Sequence, residues 1–256
     1  MVALLVGLFG LVVGSFLNVT IGRLRSGETG WRSRSRCPKC LTTLRPTELL
    51  PLLSFLFLRG RCRTCKKPIS WQYPIVEAAV SVLFLVAYFA RGGEASFIAQ
   101  PLVFLRDAIF IAGLTVIFVV DLLDMVVFDS VTLPMAAVAF LLNLALGAHA
   151  LNLLVAAVVG GGFFMLQYAV SRGRWIGGGD IRIGAMMGMM LGFPRILLAI
   201  FAAYMVGALV ALGLIAAGKA RWSGRIAFGT FLSFATVGTL FFGQPILDWY
   251  ASLLGY

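Results

Sequence analysis

Residues 196–217 read ILLAIFAAYMVGALVALGLIAA, an apolar stretch without a charged side chain. A helix needs about 20 apolar residues to cross a bilayer, so this stretch predicts a membrane span. The whole chain has the same character, because 61% of its 256 residues are hydrophobic and 12% are charged. Soluble proteins carry about twice that share of charged residues. The composition therefore excludes a disordered chain and a water-soluble globule.

Apolar runs of this kind recur along the chain and predict an all-α polytopic membrane protein with about eight transmembrane helices. The runs cover 1–22, 73–90, 97–121, 131–148, 151–170, 181–194, 196–217 and 228–254. The first run has neither the basic start nor the cleavage site of a signal peptide. We therefore expect it to be retained as a helix.

Positive charge is concentrated after the first run. Residues 23–67 hold twelve of the 21 Lys and Arg residues and two of the ten acids, Glu28 and Glu48. Loops rich in Lys and Arg stay in the cytoplasm, which we prefer to a nucleic-acid-binding patch as the interpretation. Two later loops that fall on the same side are also basic, with Arg172, Arg174, Lys219, Arg221 and Arg225. The charge pattern predicts an N-terminus outside the cell.

The basic segment contains the four cysteines of the chain. Cys37-Pro-Lys-Cys40 and Cys62-Arg-Thr-Cys65 are two C-x-x-C pairs separated by 21 residues. Four thiolates at about this spacing can surround a tetrahedral zinc ion. The metal would supply folding free energy that a short polar segment lacks. Two disulfides, free thiols and a redox dithiol are the alternatives, and a reducing cytoplasm argues against disulfides.

These patterns divide the chain into three parts. We predict a first transmembrane helix at 1–22, a cytoplasmic basic zinc-binding domain at 23–71 and a transmembrane domain at 72–256. Asn18 and Gln167 lie in apolar runs, where we expect them to form interhelical hydrogen bonds.

Four of the ten acids lie at the ends of apolar segments. They are Asp121, Asp124 and Asp129 in VVDLLDMVVFDSVTLP (119–134) and Asp180 in GGGDIRIGAMMG (177–188). Ionisable groups at membrane depth are expensive, so each is a candidate for function. Asp121 ends one predicted helix and Asp180 begins another on the same side. Their carboxylates can therefore meet.

Two carboxylates within hydrogen-bonding distance share one proton, because like charges repel. The ionised group can then activate water while the protonated group polarises a peptide carbonyl, as in an aspartic protease. Gly177–Gly179 would admit a substrate backbone and let the chain turn sharply.

The simpler alternative is that these acids are helix-end charges or caps. Asp129 fits that interpretation, and we expect it to cap the helix that follows. The role of Asp124 stays open, and Glu77 at the start of the run 73–90 could either cap that helix or contribute to a site.

Six motifs in order resemble the type IV prepilin peptidases, a family of aspartic peptidases of the bacterial inner membrane that carry a GxGD motif. The motifs are GSFLNVTIGRL (14–24), CPKC (37–40), LLPLLSFLFLRGRCRTC (49–65), PISWQYPIVE (68–77), DLLDMVVFDSVTLP (121–134) and GGGDIRIGAMMG (177–188). The resemblance covers about residues 10–195, and the last two predicted helices add little to it.

The resemblance implies a membrane endopeptidase that cleaves leaders from prepilins or pseudopilins at the cytoplasmic face, with membrane lipid but no nucleic acid as a further partner. It places the catalytic aspartates at Asp121 and Asp180 and a structural zinc on the four cysteines. Many family members also N-methylate the new N-terminus with S-adenosylmethionine. A non-enzymatic zinc-ribbon scaffold or a transporter is the alternative, but acids clustered at one face argue against transport.

The chain departs from the family pattern near both acids. Leu123 stands where the family usually has a second Asp, and Asp124 stands where a His is common. Phe128 replaces a Pro, and Arg182 replaces a Lys. We expect Arg182 to interact with Asp180 or with substrate backbone.

Overall fold

The computed structural model describes residues 1–27, 34–219 and 226–255, which contain helices and no strand. The helices are α1 Val2–Ser26, α2 Leu53–Phe57, α3 Gln72–Ala90, α4 Gly93–Ala99, α5 Pro101–Asp124, α6 Asp129–Ala145, α7 Ala150–Ser171, α8 Gly178–Leu191, α9 Arg195–Ala216 and α10 Phe228–Leu253. A short 3-10 turn covers Pro46–Leu49. Helices suit a lipid environment because they satisfy backbone hydrogen bonds internally. The predicted all-α class is confirmed.

Within the described residues, six helices are long and apolar enough to cross a membrane: α1, α3, α5, α7, α9 and α10. The apolar helix α6 has 17 residues and α8 has 14. At 1.5 Å per residue, α8 is about 21 Å long, whereas the hydrocarbon core is about 30 Å thick. The protein is multi-pass, but the predicted eight crossings are not confirmed. The predictions on Glu28, Arg221 and Arg225 lie outside the described residues.

The chain forms two compact units, Met1–Val116 and Ile117–Tyr256, whose boundary falls inside α5. The three-part division expected from the sequence stays a prediction. In the first unit α1 packs closely on α3, since a Cβ on Gly10 would lie 2.6 Å from the Ser81 Cα. As expected for Asn18, its side-chain amide donates to the Tyr73 carbonyl in α3 at 3.0 Å.

The second unit is built around α8, which contacts α6, α7, α9 and α10. Small residues permit this packing, since a Cβ on Gly184 would lie 2.6 Å from the Gly160 carbonyl oxygen of α7. The side chains of Ile183, Met186 and Met187 are fully buried. Because α8 is enclosed by other helices, it does not need the length of a membrane span. Its first turn lies close to the ends of neighbouring helices.

Candidate active site and metal centre

Asp121 and Asp180 are both buried in the second unit. Asp121 lies in the last turn of α5 and is 5% exposed, and Asp180 is the third residue of α8 and is 7% exposed. Asp124, the last residue of α5, is exposed. Burial of a carboxylate is costly unless donors compensate for its charge. Each of the two buried acids has such donors.

The Asp121 carboxylate accepts hydrogen bonds from the first turn of α10. Its Oδ2 receives the Thr230 backbone N–H at 2.7 Å and the Thr230 hydroxyl at 3.2 Å. The first N–H groups of a helix have no partner within that helix, and they lie at the positive end of its dipole. The start of α10 therefore stabilises negative charge on a side chain 109 residues earlier in the chain.

The Asp180 carboxylate is held by its own helix. Its Oδ2 accepts the Gly177 backbone N–H at 3.0 Å, which is half of a capping box at the start of α8. Asp180 thus has a capping role that is compatible with a further, chemical one.

Gly229 lies next to Asp121 and also next to α8, the helix that carries Asp180. A Cβ on Gly229 would lie 2.9 Å from Asp121 Oδ2 and 2.9 Å from the Cδ1 of Ile183, which follows Asp180 by one turn of α8. The structure therefore brings the two predicted acids to one end of the second unit.

Asp129 and Arg182 form an ion pair that the sequence does not predict. Asp129 is the first residue of α6, and its Oδ1 lies 2.6 Å from the Arg182 Nη1 of α8. The expectation that Asp129 caps α6 is wrong, since the residue preceding the helix is Phe128 and no side chain caps it. Arg182 thus pairs with Asp129 rather than with Asp180, and the alternative that it contacts substrate backbone stays a prediction.

Among the glycines before Asp180, Gly179 is needed for space. None of Gly177–Gly179 has a positive φ, so their backbone does not adopt a conformation that only glycine tolerates. A Cβ on Gly179 would lie 2.6 Å from Val127 Cγ2, whereas Gly178 has open space around it. Gly179 therefore lets the loop between α5 and α6 approach the start of α8.

Glu77 is a buried structural acid in the first unit. It is the sixth residue of α3, so it does not cap that helix, and its Oε2 accepts the Leu52 N–H at 2.8 Å. Leu52 has a left-handed φ of 57°. The carboxylate thus ties the segment before α2 to α3.

The four cysteines form one cluster, with all sulfur atoms within 4.8 Å of one another. The Cys37–Cys65 and Cys40–Cys62 sulfur pairs are each 4.0 Å apart. A tetrahedral site with Zn–S bonds of about 2.3 Å places its sulfurs about 3.8 Å apart, so the cluster fits zinc. All four thiols are free, which contradicts the disulfide alternative.

The two cysteine pairs share one backbone geometry. Leu41 N–H donates to the Cys37 carbonyl at 2.9 Å, and Lys66 N–H donates to the Cys62 carbonyl at 3.0 Å. Leu41 and Lys66 both have left-handed φ angles, 58° and 59°. The two pairs are therefore equivalent turns facing a common centre.

The thiols of this cluster differ in acidity. Hydrogen bonds from the side chain and backbone of Thr42 lower the pKa of Cys40 to about 6. The Lys67 backbone lowers the pKa of Cys65, but desolvation and the neighbouring thiols outweigh it and raise that pKa to about 11. Four ionised thiols at this spacing would need a cation among them to offset their mutual repulsion.

Comparison with known proteins decides the family. A model of the bacterial peptidase A24 N-terminal domain matches residues 8–91, and a model of the type IV leader peptidase family matches residues 108–212. A prepilin leader peptidase/N-methyltransferase of Aeromonas hydrophila is 33% identical over 279 residues, covering 96% of this chain and 92% of that protein. The protein of the same name from Bacillus subtilis (strain 168) is 30% identical over 249 residues, covering 96% of each chain.

The chain belongs to the type IV leader peptidase family. A third member, from Myxococcus xanthus (strain DK1622), is 37% identical over 217 residues, which cover 82% of this chain and 63% of that protein. The resemblance inferred from the six motifs is confirmed, and so is the prediction of an enzyme of the hydrolase class. No solved structure matches the chain.

Sequence reasoning missed the first turn of α10 as part of the site. Gly229 and Thr230 lie beyond the 108–212 range that the type IV leader peptidase model matches. A glycine and a threonine at the start of an apolar run are ordinary helix-start residues. What marks Thr230 as part of the site is its hydrogen bonding to Asp121, and this contact is visible only in the tertiary structure.

Proposed function

We propose that this family member is a prepilin leader peptidase whose catalytic pair is Asp121 and Asp180. The observation that carries the proposal is that two buried carboxylates, 59 residues apart in the chain, lie at the same end of the second unit, where Gly229 contacts both Asp121 and the helix of Asp180. Paired acids that share a proton are suited to adding water to a peptide bond. The name shared by the relatives supports prepilins as substrates. We extend the proposal to pseudopilins, with membrane lipid and no nucleic acid as a further partner.

The reaction needs one ionised and one protonated carboxyl. The carboxylate takes a proton from water while the oxygen of that water bonds to the scissile carbonyl carbon, and the acid donates a hydrogen bond to the carbonyl oxygen. The C–N bond then breaks and the nitrogen takes a proton from the pair. The products are a leader that ends in a carboxyl group and a mature chain that begins with a new amine.

The distribution of charge supports a site at the cytoplasmic face of the bacterial inner membrane. Arg172, Arg174, Arg182 and Lys219 lie in the loops and helix ends on the Asp180 side of the second unit. Arg195 is the basic residue that begins a helix at the opposite end, among the described residues of this unit. Lys- and Arg-rich ends remain in the cytoplasm. In the first unit, the basic segment after α1 supports an N-terminus outside.

Cys37, Cys40, Cys62 and Cys65 would hold a structural zinc ion. The ion would neutralise the thiolates and supply folding free energy to the segment between α1 and α3. Four protein ligands leave no open position, so this metal would take no part in hydrolysis.

Methyl transfer to the new amine is proposed from the relatives' name, prepilin leader peptidase/N-methyltransferase. S-adenosylmethionine would donate the methyl group.

Replacing one acid of the pair tests the peptidase proposal. We expect Asp121→Asn and Asp180→Asn each to reduce cleavage of a purified prepilin in liposomes by at least about a thousandfold, since each acid supplies an essential proton transfer. The readout is the rate at which the shortened product appears on a gel.

Asp248→Asn is the matched control for these two variants. Asp248 is an exposed acid near the far end of α10, hydrogen-bonded to Gln244 of the same helix, and its replacement should leave the rate unchanged. Normal cleavage by Asp121→Asn or by Asp180→Asn would reject the proposed pair.

A further inference from the structure

The two carboxylates of the proposed pair are held in different ways. Asp180 accepts a backbone N–H three residues before it in the chain, so its orientation is fixed within α8. Asp121 accepts two hydrogen bonds from Thr230, which belongs to a different helix. The orientation of the Asp121 carboxylate relative to Asp180 therefore depends on where α10 begins.

We infer that Thr230 is a positioning residue that sets the orientation of the Asp121 carboxylate in the peptidase reaction. The inference rests on the proposed function. Thr230 is buried, and both of its donors converge on the same oxygen, Oδ2. Two donors on one oxygen restrict rotation of the carboxylate and stabilise its charge against the cost of burial.

Gly229 supports the same inference from the steric side. A methyl group at this position would lie 2.9 Å from Asp121 Oδ2, closer than a carbon atom normally approaches. Since the first turn of α10 also packs against Ile183 of α8, that methyl group could not be relieved by a shift toward α8. The bare glycine therefore lets the Thr230 donors reach Asp121 while α10 stays packed on α8.

Substitution at Thr230 separates positioning from substrate binding. Thr230→Val keeps the shape and the backbone N–H but removes the hydroxyl, and we expect kcat to fall about tenfold with KM unchanged. Thr230→Ser restores a hydroxyl, and we expect it to recover most of the lost kcat. The assay is prepilin cleavage in liposomes over a range of substrate concentrations.

Thr236→Val is the matched control. Thr236 is buried in the same helix, and its hydroxyl donates to the Leu232 carbonyl at 2.7 Å rather than to an acid. We expect its kcat and KM to equal those of the wild type. Thermal unfolding of each variant in detergent checks that the fold is retained.

A second pair of variants keeps the inference testable if Thr230→Val does not fold. Gly229→Ala leaves both donor groups of Thr230 in the protein, but its methyl group would push the Asp121 carboxylate away from them. We expect kcat to fall at least tenfold. Gly238→Ala, at a position of α10 with open space, should have wild-type kcat.

The outcomes distinguish the inference from the function on which it rests. Wild-type kcat in both Thr230→Val and Gly229→Ala, with Asp121→Asn inactive, would overturn the inference and leave the peptidase proposal standing. A rise in KM with unchanged kcat, or no recovery in Thr230→Ser, would also overturn it. Normal cleavage by Asp121→Asn would instead overturn the proposed function.

Discussion

At the scale of single residues, Gly178 and Gly179 are neighbours with opposite surroundings. A side chain at 179 would collide with Val127 in the loop that follows α5, and a side chain at 178 would meet open space. The three glycines look equivalent in the sequence. Their difference arises from the α5–α6 loop, which contacts one of them.

We expect Gly179→Ala to slow prepilin cleavage about tenfold or more, because the added methyl pushes the 125–128 loop away from Asp180. Overpacking of this kind also costs about 1–3 kcal/mol in the free energy of unfolding. Gly178→Ala is the control and should match the wild type in rate and melting temperature. Equal effects of the two substitutions would show that the contact with Val127 has no role.

The sequence could indicate Asp121 and Asp180 because an acid at a membrane helix end is rare and costly. It could not indicate Thr230, since nothing in residues 226–232 specifies that a backbone N–H will meet a side chain of α5. The same limit explains the error on Asp129. A free acid before an apolar run looks like a cap, but here Arg182 attracts the carboxylate away from its own helix.

At the scale of elements, the contact of α7 with α8 positions the helix that carries Asp180. Gly160 and Gly184 face each other there, and a Cβ on Gly160 would overlap the Gly184 carbonyl oxygen. Gly162 lies on the same helix with open space around it. Close backbone approach through small residues is a common mode of packing between membrane helices.

We expect Gly160→Ala to lower the melting temperature in detergent, with a loss of about 1–3 kcal/mol in the free energy of unfolding. Gly162→Ala should leave the melting temperature unchanged or raise it slightly, because alanine favours the helix. An unaltered melting temperature in Gly160→Ala would contradict the close packing of α7 on α8.

The helices themselves were predictable because apolar runs must form helices in lipid. The number of membrane crossings was less predictable, because hydropathy cannot distinguish a membrane-spanning helix from one enclosed by other helices. The 14-residue helix α8 is apolar and largely buried, so its composition resembles that of a span although its length is about 21 Å. Likewise, the run at 97–121 contains the end of α4 before Pro101 begins α5.

At the scale of the whole molecule, the family membership and the cysteine cluster agree on a membrane peptidase with a small segment that could hold a metal ion. The order of the motifs was enough to predict the fold class and the family. The geometry of the cluster was not predictable, since the spacing of four cysteines permits disulfides as well as a metal. The sulfur separations of 4.0 Å exclude the disulfide arrangement.

We expect the purified protein to contain about one zinc ion per chain, because four thiolates complete the coordination of the metal. Replacing Cys37 and Cys62 by Ser should abolish zinc binding and make the 34–71 segment sensitive to proteolysis, while the membrane helices stay folded. Elemental analysis and limited proteolysis are the measurements. A zinc-free wild-type protein that is folded and resistant to proteolysis would contradict the structural role of the metal.

The central claim, that Asp121 and Asp180 act as one catalytic unit, is tested most directly by a double-mutant cycle on prepilin cleavage in liposomes. Groups that act as a unit have strongly non-additive effects, because losing one already disables the other. We predict that Asp121→Asn, Asp180→Asn and the double variant retain the same residual rate within a few fold. Losses that multiply in the double variant, or a single variant that cleaves at the wild-type rate, would contradict the account.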